Sequence, residues 1–407
     1  MTRAETATQP PSDVLRKTEG SPLRTYAYLK PNGNFTHLAA LELIKRPQHE
    51  SAILIGESGI DNLFGSIISG RTSHALIPIE NSTEGPVPKS HANLFEHDVT
   101  IVGEMNMPII PSIYYQDKTT VKKVASKDSA LGQCKQHIRK HFGSDVELIE
   151  MESTGDAVAL AAKDPTVAAI GSSISAREQG IDNLHQIDNF NDKDLNATTF
   201  ALVQKGGELP SPTGDDKTTF IMTIEDSKGK LVDALDVLAK KGVDLNKIKS
   251  INKTLDTVSF LVSADGHVDD EGPTGAALMA LAESGVIVKK LGSYPKDDYA
   301  PPENNEDYDF DAAIERIQNE AKNGDEMDKN KTIVVFTLQD KPGALLGALK
   351  PFADEGVNLT KIDSQPSGIP NEHIFYLAFD NQTPRADELI TELGKHCHHV
   401  AKLQRAA

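Results

Sequence analysis

The 407-residue chain has no tryptophan, only two cysteines and 5% aromatic residues, and each shortage excludes something. Cys134 and Cys397 are too few and too far apart for a disulfide framework, which fits a reducing, cytoplasmic compartment. No apolar run approaches the roughly 18 residues that a spanning helix needs, so no membrane partner is expected. Basic residues are scarce, 42 Lys and Arg against 60 Asp and Glu, for a net charge of -18. That argues against nucleic acid, whose binding depends on clustered cations that release counterions. What remains, 38% hydrophobic and 25% charged residues, is the composition of a folded protein, and the length calls for two to four domains. Residues 1–24 mix Thr, Ser, Pro and charges of both signs without an apolar core, and read as a disordered leader.

The stretch that organises the rest is Pro78-Ile79-Glu80-Asn81-Ser82-Thr83-Glu84-Gly85-Pro86-Val87. It follows the apolar run Ala75 to Ile79 and precedes His91 to Phe95, a strand, polar loop and helix start. Asn and Ser cap such a helix while its first N–H groups face a small anion. Upstream, Tyr26 to Leu29 and Ala52 to Ile55 read as strands, with helices at Leu38 to Ile44 and Ile60 to Ile68. The alternation predicts a mostly parallel α/β sheet with its ligand at the carboxyl ends of the strands. From Met107 a second set begins, with strands at Ile109 to Tyr115, Val124 to Ala125, Val146 to Glu150 and Val167 to Ile170. Helices start near Ser129, Thr154 and Ser172, and the strand Thr198 to Val203 returns the chain to the first set. Two lobes, about 25–106 with 196–205 and 107–195, then enclose a cleft.

In these segments residues 25–205 resemble the catalytic domain of prephenate dehydratase. The resemblance rests on Pro31 to His37 with Ala39-Ala40, the Pro78 to Val87 loop, Ser126 to Cys134, Ser153-Thr154 with Ala157, and Asn196 to Phe200. It implies a two-lobed fold like that of periplasmic binding proteins, and a reaction without cofactor or metal that turns prephenate into phenylpyruvate, water and carbon dioxide. Carried over by position, Thr198 helps the ring hydroxyl leave. Glu80, Asn81, Ser82, Ser126, Ser153 and Thr154 place the substrate, and Phe35 and Phe200 form an apolar wall. Thr199 stands where the family has arginine, Ser126-Lys127-Asp128-Ser129 replaces Ser-His-Pro-Gln, and Lys30 and Asn34 replace Gly and Thr. These departures keep two rivals open, a non-aromatising prephenate decarboxylase and a catalytically silent amino-acid sensor.

After a hinge at 206–216 comes an internal repeat: Lys217 to Ser250 matches Lys331 to Ser364 at an offset of 114, with roughly 15 of 34 positions identical. Each copy, 217–296 and 331–407, reads strand, helix, strand, strand, helix, strand. Both resemble ACT domains, ferredoxin-like α+β modules that bind amino acids. The resemblance implies an aromatic amino acid, phenylalanine, held at Gly343, Ala344, Leu345, Asn358, Leu359 and Ser364, and a homo-oligomer paired through these modules. Between the copies, 297–330 is acidic, yet Phe310, Ala313, Ile314, Ile317 and Ala321 keep helical spacing, which suggests a short docked helix. His396-Cys397-His398-His399 reads as a solvated cluster, because adjacent residues point in different directions.

Overall fold

The structure, a computed structural model, describes residues 24–50, 52–82, 85–192, 196–269, 271–297, 331–366 and 372–403. The leader up to residue 23, Thr83 and Glu84, and most of the acidic linker with its apolar spacing lie outside the described residues.

The first lobe contributes β1 (Thr25–Leu29), β2 (Ile53–Glu57), β3 (His74–Asn81), the two-residue β4 (Gly85–Pro86) and β5 (Val99–Pro108). The second holds β6 (Ser112–Tyr115), β7 (Lys123–Ser126), β8 (Glu147–Glu150), β9 (Val167–Gly171) and β10 (His185–Ile187), and β11 (Ala197–Lys205) returns to the first. The first sheet runs β2-β1-β3-β11-β5, with β4 beside β3, and the second runs β10-β6-β9-β7-β8. Both are mixed rather than mostly parallel. β1 pairs in parallel with β2 and β3, but β11 is antiparallel to β3 and β5. The cause is the crossing itself: the outgoing strand β5 and the returning β11 lie side by side, Pro108 opposite Ala197, so one must oppose the other. Ile109 N–H extends the pairing to the Asn196 carbonyl at 2.7 Å, which makes this ribbon the hinge between lobes.

Beyond the lobes the repeat builds β12 (Asp216–Glu225), β13 (Leu245–Lys253), β14 (Thr257–Asp265) and β15 (Ile287–Pro295), then β16 (Lys331–Gln339), β17 (Leu359–Pro366), β18 (Glu372–Asp380) and β19 (Val400–Leu403). The copies join within one chain into a single eight-stranded sheet, β15-β12-β14-β13-β17-β18-β16-β19, where Lys249 faces Asp363 at the seam. Ser250 Oγ donates to the Ile362 carbonyl at 3.0 Å and Ser364 Oγ to that of Ile248 at 3.2 Å, so equivalent serines of the two copies stitch the seam. One core lies under the helices of both, with Phe220, Phe260, Phe336 and Phe352 fully buried.

The other face of the first module belongs to the first lobe. Ile221, Leu261, Leu291 and Tyr294 share a core with Leu63, Phe64, Ile77 and Ile101, all below 2% exposed except Leu261 at 2%. Polar contacts border it: Lys217 Nζ to Glu104 Oε1 at 2.6 Å, and Asp297 bridging Arg46 at 2.9 Å and the Asn106 N–H at 2.7 Å. Lys289 Nζ donates to the carbonyls of Leu94, Phe95 and His97 at 2.9, 2.8 and 2.6 Å, where helix Pro88–Glu96 leaves its carbonyls unsatisfied. Lys289→Met is therefore expected to lower the unfolding free energy read from a urea titration by about 1–2 kcal/mol, for charge-assisted bonds at a half-buried position. An unchanged midpoint would show that water serves these carbonyls equally well.

Candidate active site

The loop after β3 and the start of β11 meet at the hinge. The antiparallel register sets Thr198 opposite Asn81 and Thr199 opposite Glu80, and a shift between Thr199 and Phe200 bends the strand beyond them. Asn81 Nδ2 donates to Thr198 Oγ1 at 2.9 Å and to Asn196 Oδ1 at 2.7 Å. Asn196 Nδ2 donates on to Gln133 Oε1 at 2.8 Å, across to the second lobe. Ser82 and Ala197 clasp the base of the group: Ser82 N–H reaches the Ala197 carbonyl at 2.8 Å, and Ala197 N–H reaches Ser82 Oγ at 2.9 Å. Thr198 is 9% exposed and Asn196 7%, a nearly dry site. A hydroxyl oxygen that accepts a bond on one side keeps its proton for the other, so Asn81 leaves Thr198 able to donate.

A second set of contacts joins the lobes. The Gly33 carbonyl accepts from Ser172 Oγ and Ser175 Oγ, each at 2.6 Å, and a Cβ on Gly155 would lie 2.8 Å from Pro31 Cγ. The opening loop is thus wedged between the Ser172–Ser175 turn and helix Thr154–Lys163. Thr154 is 6% exposed in that helix's first turn. His37 caps the loop from behind, its Nδ1 accepting from Gly33 N–H at 3.0 Å while its ring stacks on Tyr28 at 4.6 Å. Burial lowers the His37 pKa, which suits the neutral ring that this acceptor role needs.

Other residues of the sequence-derived set are engaged elsewhere. Ser126 is fully buried and its hydroxyl donates to the Ile170 carbonyl at 2.9 Å, bracing the second sheet rather than facing a substrate. Phe200, 1% exposed, packs under helix Phe35–Leu43 with Tyr26, Leu76 and Met105, because the bend after Thr199 turns it into the core. Phe35 is half-buried beside that core. Ser153 caps its own helix, accepting from Asp156 N–H at 3.0 Å and donating to Asp156 Oδ2 at 2.6 Å. Glu80 forms an ion pair with Lys247 of the first module at 2.5 Å, both side chains 14% exposed. Thr199, at the missing arginine, donates to Asn106 Oδ1 at 2.6 Å, and Lys127 is exposed. Gln133, Ser172 and Ser175 were not singled out by the sequence, although the run Gly171-Ser172-Ser173-Ile174-Ser175 clusters small hydroxyls after a strand.

The seam between modules holds two cavities related by the repeat. Gly343, Ala344, Leu345 and Ser364 line one, together with Asp244 and Leu245 of the first module. Asn358 and Leu359 line the other, facing Asp226, Gly229 and Leu231. Among the described residues no group of His, Cys, Asp and Glu gathers at metal-binding distance, and no helix is long and apolar enough to cross a membrane.

Hydroxyls and amides gathered at a two-lobed junction, followed by paired ferredoxin-like modules with cavities in their seam, define an enzyme for a small polar molecule joined to a ligand-sensing unit. The prephenate dehydratase family profile matches residues 26–208, and the ACT domain profile matches 332–398. The chain belongs to the prephenate dehydratase family and is an enzyme of its lyase class. It is 35% identical over 275 residues to a bifunctional chorismate mutase/prephenate dehydratase of Aquifex aeolicus, covering 66% of this chain and 73% of the relative. It is 30% identical to a prephenate dehydratase of Mycobacterium leprae, covering 66% and 86%. The crystal structure of an Arthrobacter aurescens prephenate dehydratase in complex with L-Phe superposes with a TM-score of 0.60 at 28% identity, covering 73% of this chain and 99% of that one. One ACT domain is thereby shown, where the repeat implied two. The first module shares the strand order but is turned over to the catalytic lobe.

Proposed function

We propose that the chain converts prephenate to phenylpyruvate, water and carbon dioxide at the hinge between its lobes, in the cytoplasm, under control of an aromatic amino acid. The bond from Asn81 to Thr198 carries this reading. The carbon–carbon bond to the ring carboxylate breaks and its electron pair enters the ring. The ring hydroxyl leaves as hydroxide, takes the Thr198 proton and departs as water, and solvent restores the threonine proton. Because the ring becomes aromatic, the protein's contribution is mainly orientation and a dry, dipole-lined site. Ser82 and the first turn of helix Thr154–Lys163 hold the substrate carboxylates in this reading, while Asn81, whose two amide hydrogens go to Thr198 and Asn196, fixes those side chains beside them. Incubation with prephenate separates the possibilities: phenylpyruvate absorbance supports the reading, a non-aromatic keto acid points to decarboxylation alone, and unchanged prephenate to a silent sensor.

The Gly343 cavity, with an apolar wall beside a helix start, has the chemistry to take an amino acid, and the L-Phe complex of the Arthrobacter relative favours phenylalanine. The two copies already pair within the chain, so any oligomer uses other surfaces. Lys247 lies on β13 between Leu245 and Ile248, which line one cavity, and its ammonium holds Glu80, next to Asn81. Occupancy of that cavity and the geometry of Asn81 are thereby linked through one strand. Lys247→Gln is expected to raise the phenylalanine concentration for half-maximal inhibition about tenfold, the scale of a 1.4 kcal/mol coupling. An unchanged inhibition curve would place the coupling elsewhere.

A further inference from the structure

The two seam cavities are built from equivalent residues but differ at one chemical position. At the offset of 114, Asp244 corresponds to Asn358 and Asp226 to Asp340. In the cavity beside Gly229, Asn358 Nδ2 donates to Asp226 Oδ1 at 3.3 Å, and Lys253 Nζ pairs with Asp226 Oδ2 at 2.8 Å. An amide, an ammonium and a carboxylate satisfy one another there, so neither charge of this trio is left for a ligand. In the cavity beside Gly343 the same places hold two carboxylates. His373 engages Asp340 at 2.6 Å and also faces Asp244, whose carboxyl accepts from the Leu245 N–H but forms no ion pair among the described residues. Burial, then the neighbouring Asp340 and Asp265, push the Asp244 carboxyl above its usual range. Two neighbouring carboxylates repel when both are ionised, which a proton or a cation relieves.

The rest of that cavity complements such a cation. Helix Ala344–Asp354 starts at Gly343, in the left-handed conformation (φ 80°), with Ala344 to Leu346 on the lining; Ala344 N–H bonds the Lys341 carbonyl at 3.1 Å, but no side chain caps the helix, so its positive end faces the cavity. Leu238, Ile248, Leu338 and Phe375 supply an apolar wall. We infer that the chain holds one effector per molecule, an apolar α-amino acid whose ammonium lies on Asp244 in the Gly343 cavity, and that the Gly229 cavity has been retired into a structural contact. This rests on the amino-acid reading above and sharpens it, since a symmetric pair of modules would hold two.

Isothermal titration of the full chain with L-phenylalanine tests it. One molecule is expected per chain. Asp244→Asn, which recreates the self-closing pair, is expected to weaken binding about tenfold or more, as loss of a charge-assisted contact does. Asp226→Asn is expected to leave both affinity and stoichiometry unchanged. Two molecules per chain, or loss of binding in the Asp226 variant but not in the Asp244 variant, would overturn the single-site assignment while leaving the effector reading intact. Absence of heat with phenylalanine and tyrosine alike would remove the effector reading, and this assignment with it. A urea midpoint for each variant separates weakened binding from misfolding.

Discussion

Replacing Thr198 with alanine is expected to reduce phenylpyruvate formation about 10²- to 10³-fold, the effect of deleting one oriented donor from a preorganised site. The expectation follows from the direction of a single hydrogen bond. Asn81 Nδ2 donates to Thr198 Oγ1, so the threonine proton points away from Asn81. A hydroxyl is a poor acid in water, and its use here depends on orientation and on a site in which Thr198 is only 9% exposed. Since Asn81, Asn196 and Gln133 stay connected without the hydroxyl, the loss should fall on kcat and leave KM nearly unchanged. Serine keeps the oxygen but gains rotamer freedom, so Thr198→Ser should retain activity within about tenfold. Steady-state rates from phenylpyruvate absorbance decide it. Alanine at wild-type speed would take Thr198 out of the chemistry.

Residue order is informative where a feature is local and silent where distant segments meet. Helix Ile60–Ile68 and the repeat were readable, because apolar spacing and a constant offset are local properties. Strand β5 was not. Its sequence, VTIVGEMNMP, breaks alternation at Gly103 and Glu104, because one face meets the lobe core and the other meets the first module, with a register shift against Leu202 and Val203. Asn81 and Thr198 shared a site only through the family resemblance, and the same carry-over put Phe200 on the substrate wall, whereas it lies in the core. A strand's alternation predicts which face a residue takes only until a bulge resets it. Glu80 shows the deeper limit: its partner Lys247 lies 167 positions away in a domain whose docking no spacing reveals. The seam between modules is similar. A repeat announces two equal units, but not that one face of the first is covered by Leu63, Phe64 and Ile101 of the catalytic lobe.

Gly33→Ala should part the lobes. Gly33 has φ +83°, a region that costs an L-residue about 1–2 kcal/mol, and its Cβ would lie 2.7 Å from Ser175 Cα and 2.9 Å from the Ser175 carbonyl oxygen. These are backbone atoms of the second lobe and cannot swing aside as a side chain could. The loop must lift, which strains both bonds from Ser172 and Ser175 to the Gly33 carbonyl and shifts the loop from helix Thr154–Lys163. Overpacking of this kind adds about 1–3 kcal/mol, and a displacement on the order of 1 Å between groups that grip one substrate costs about 10²-fold in rate. Gly143→Ala is a control for backbone strain, at least as severe there because ψ is 169°. It has φ +96° with nothing within 4 Å of the added Cβ, so it carries the backbone strain without the interlobe clash. Rates and urea midpoints for both variants separate the two effects: strain alone lowers both midpoints and spares activity, whereas loss of the interlobe seat cuts activity about 10²-fold only at Gly33. Activity retained equally in both would mean that the lobes are positioned by the β5–β11 hinge and that the opening loop merely rests against its neighbour.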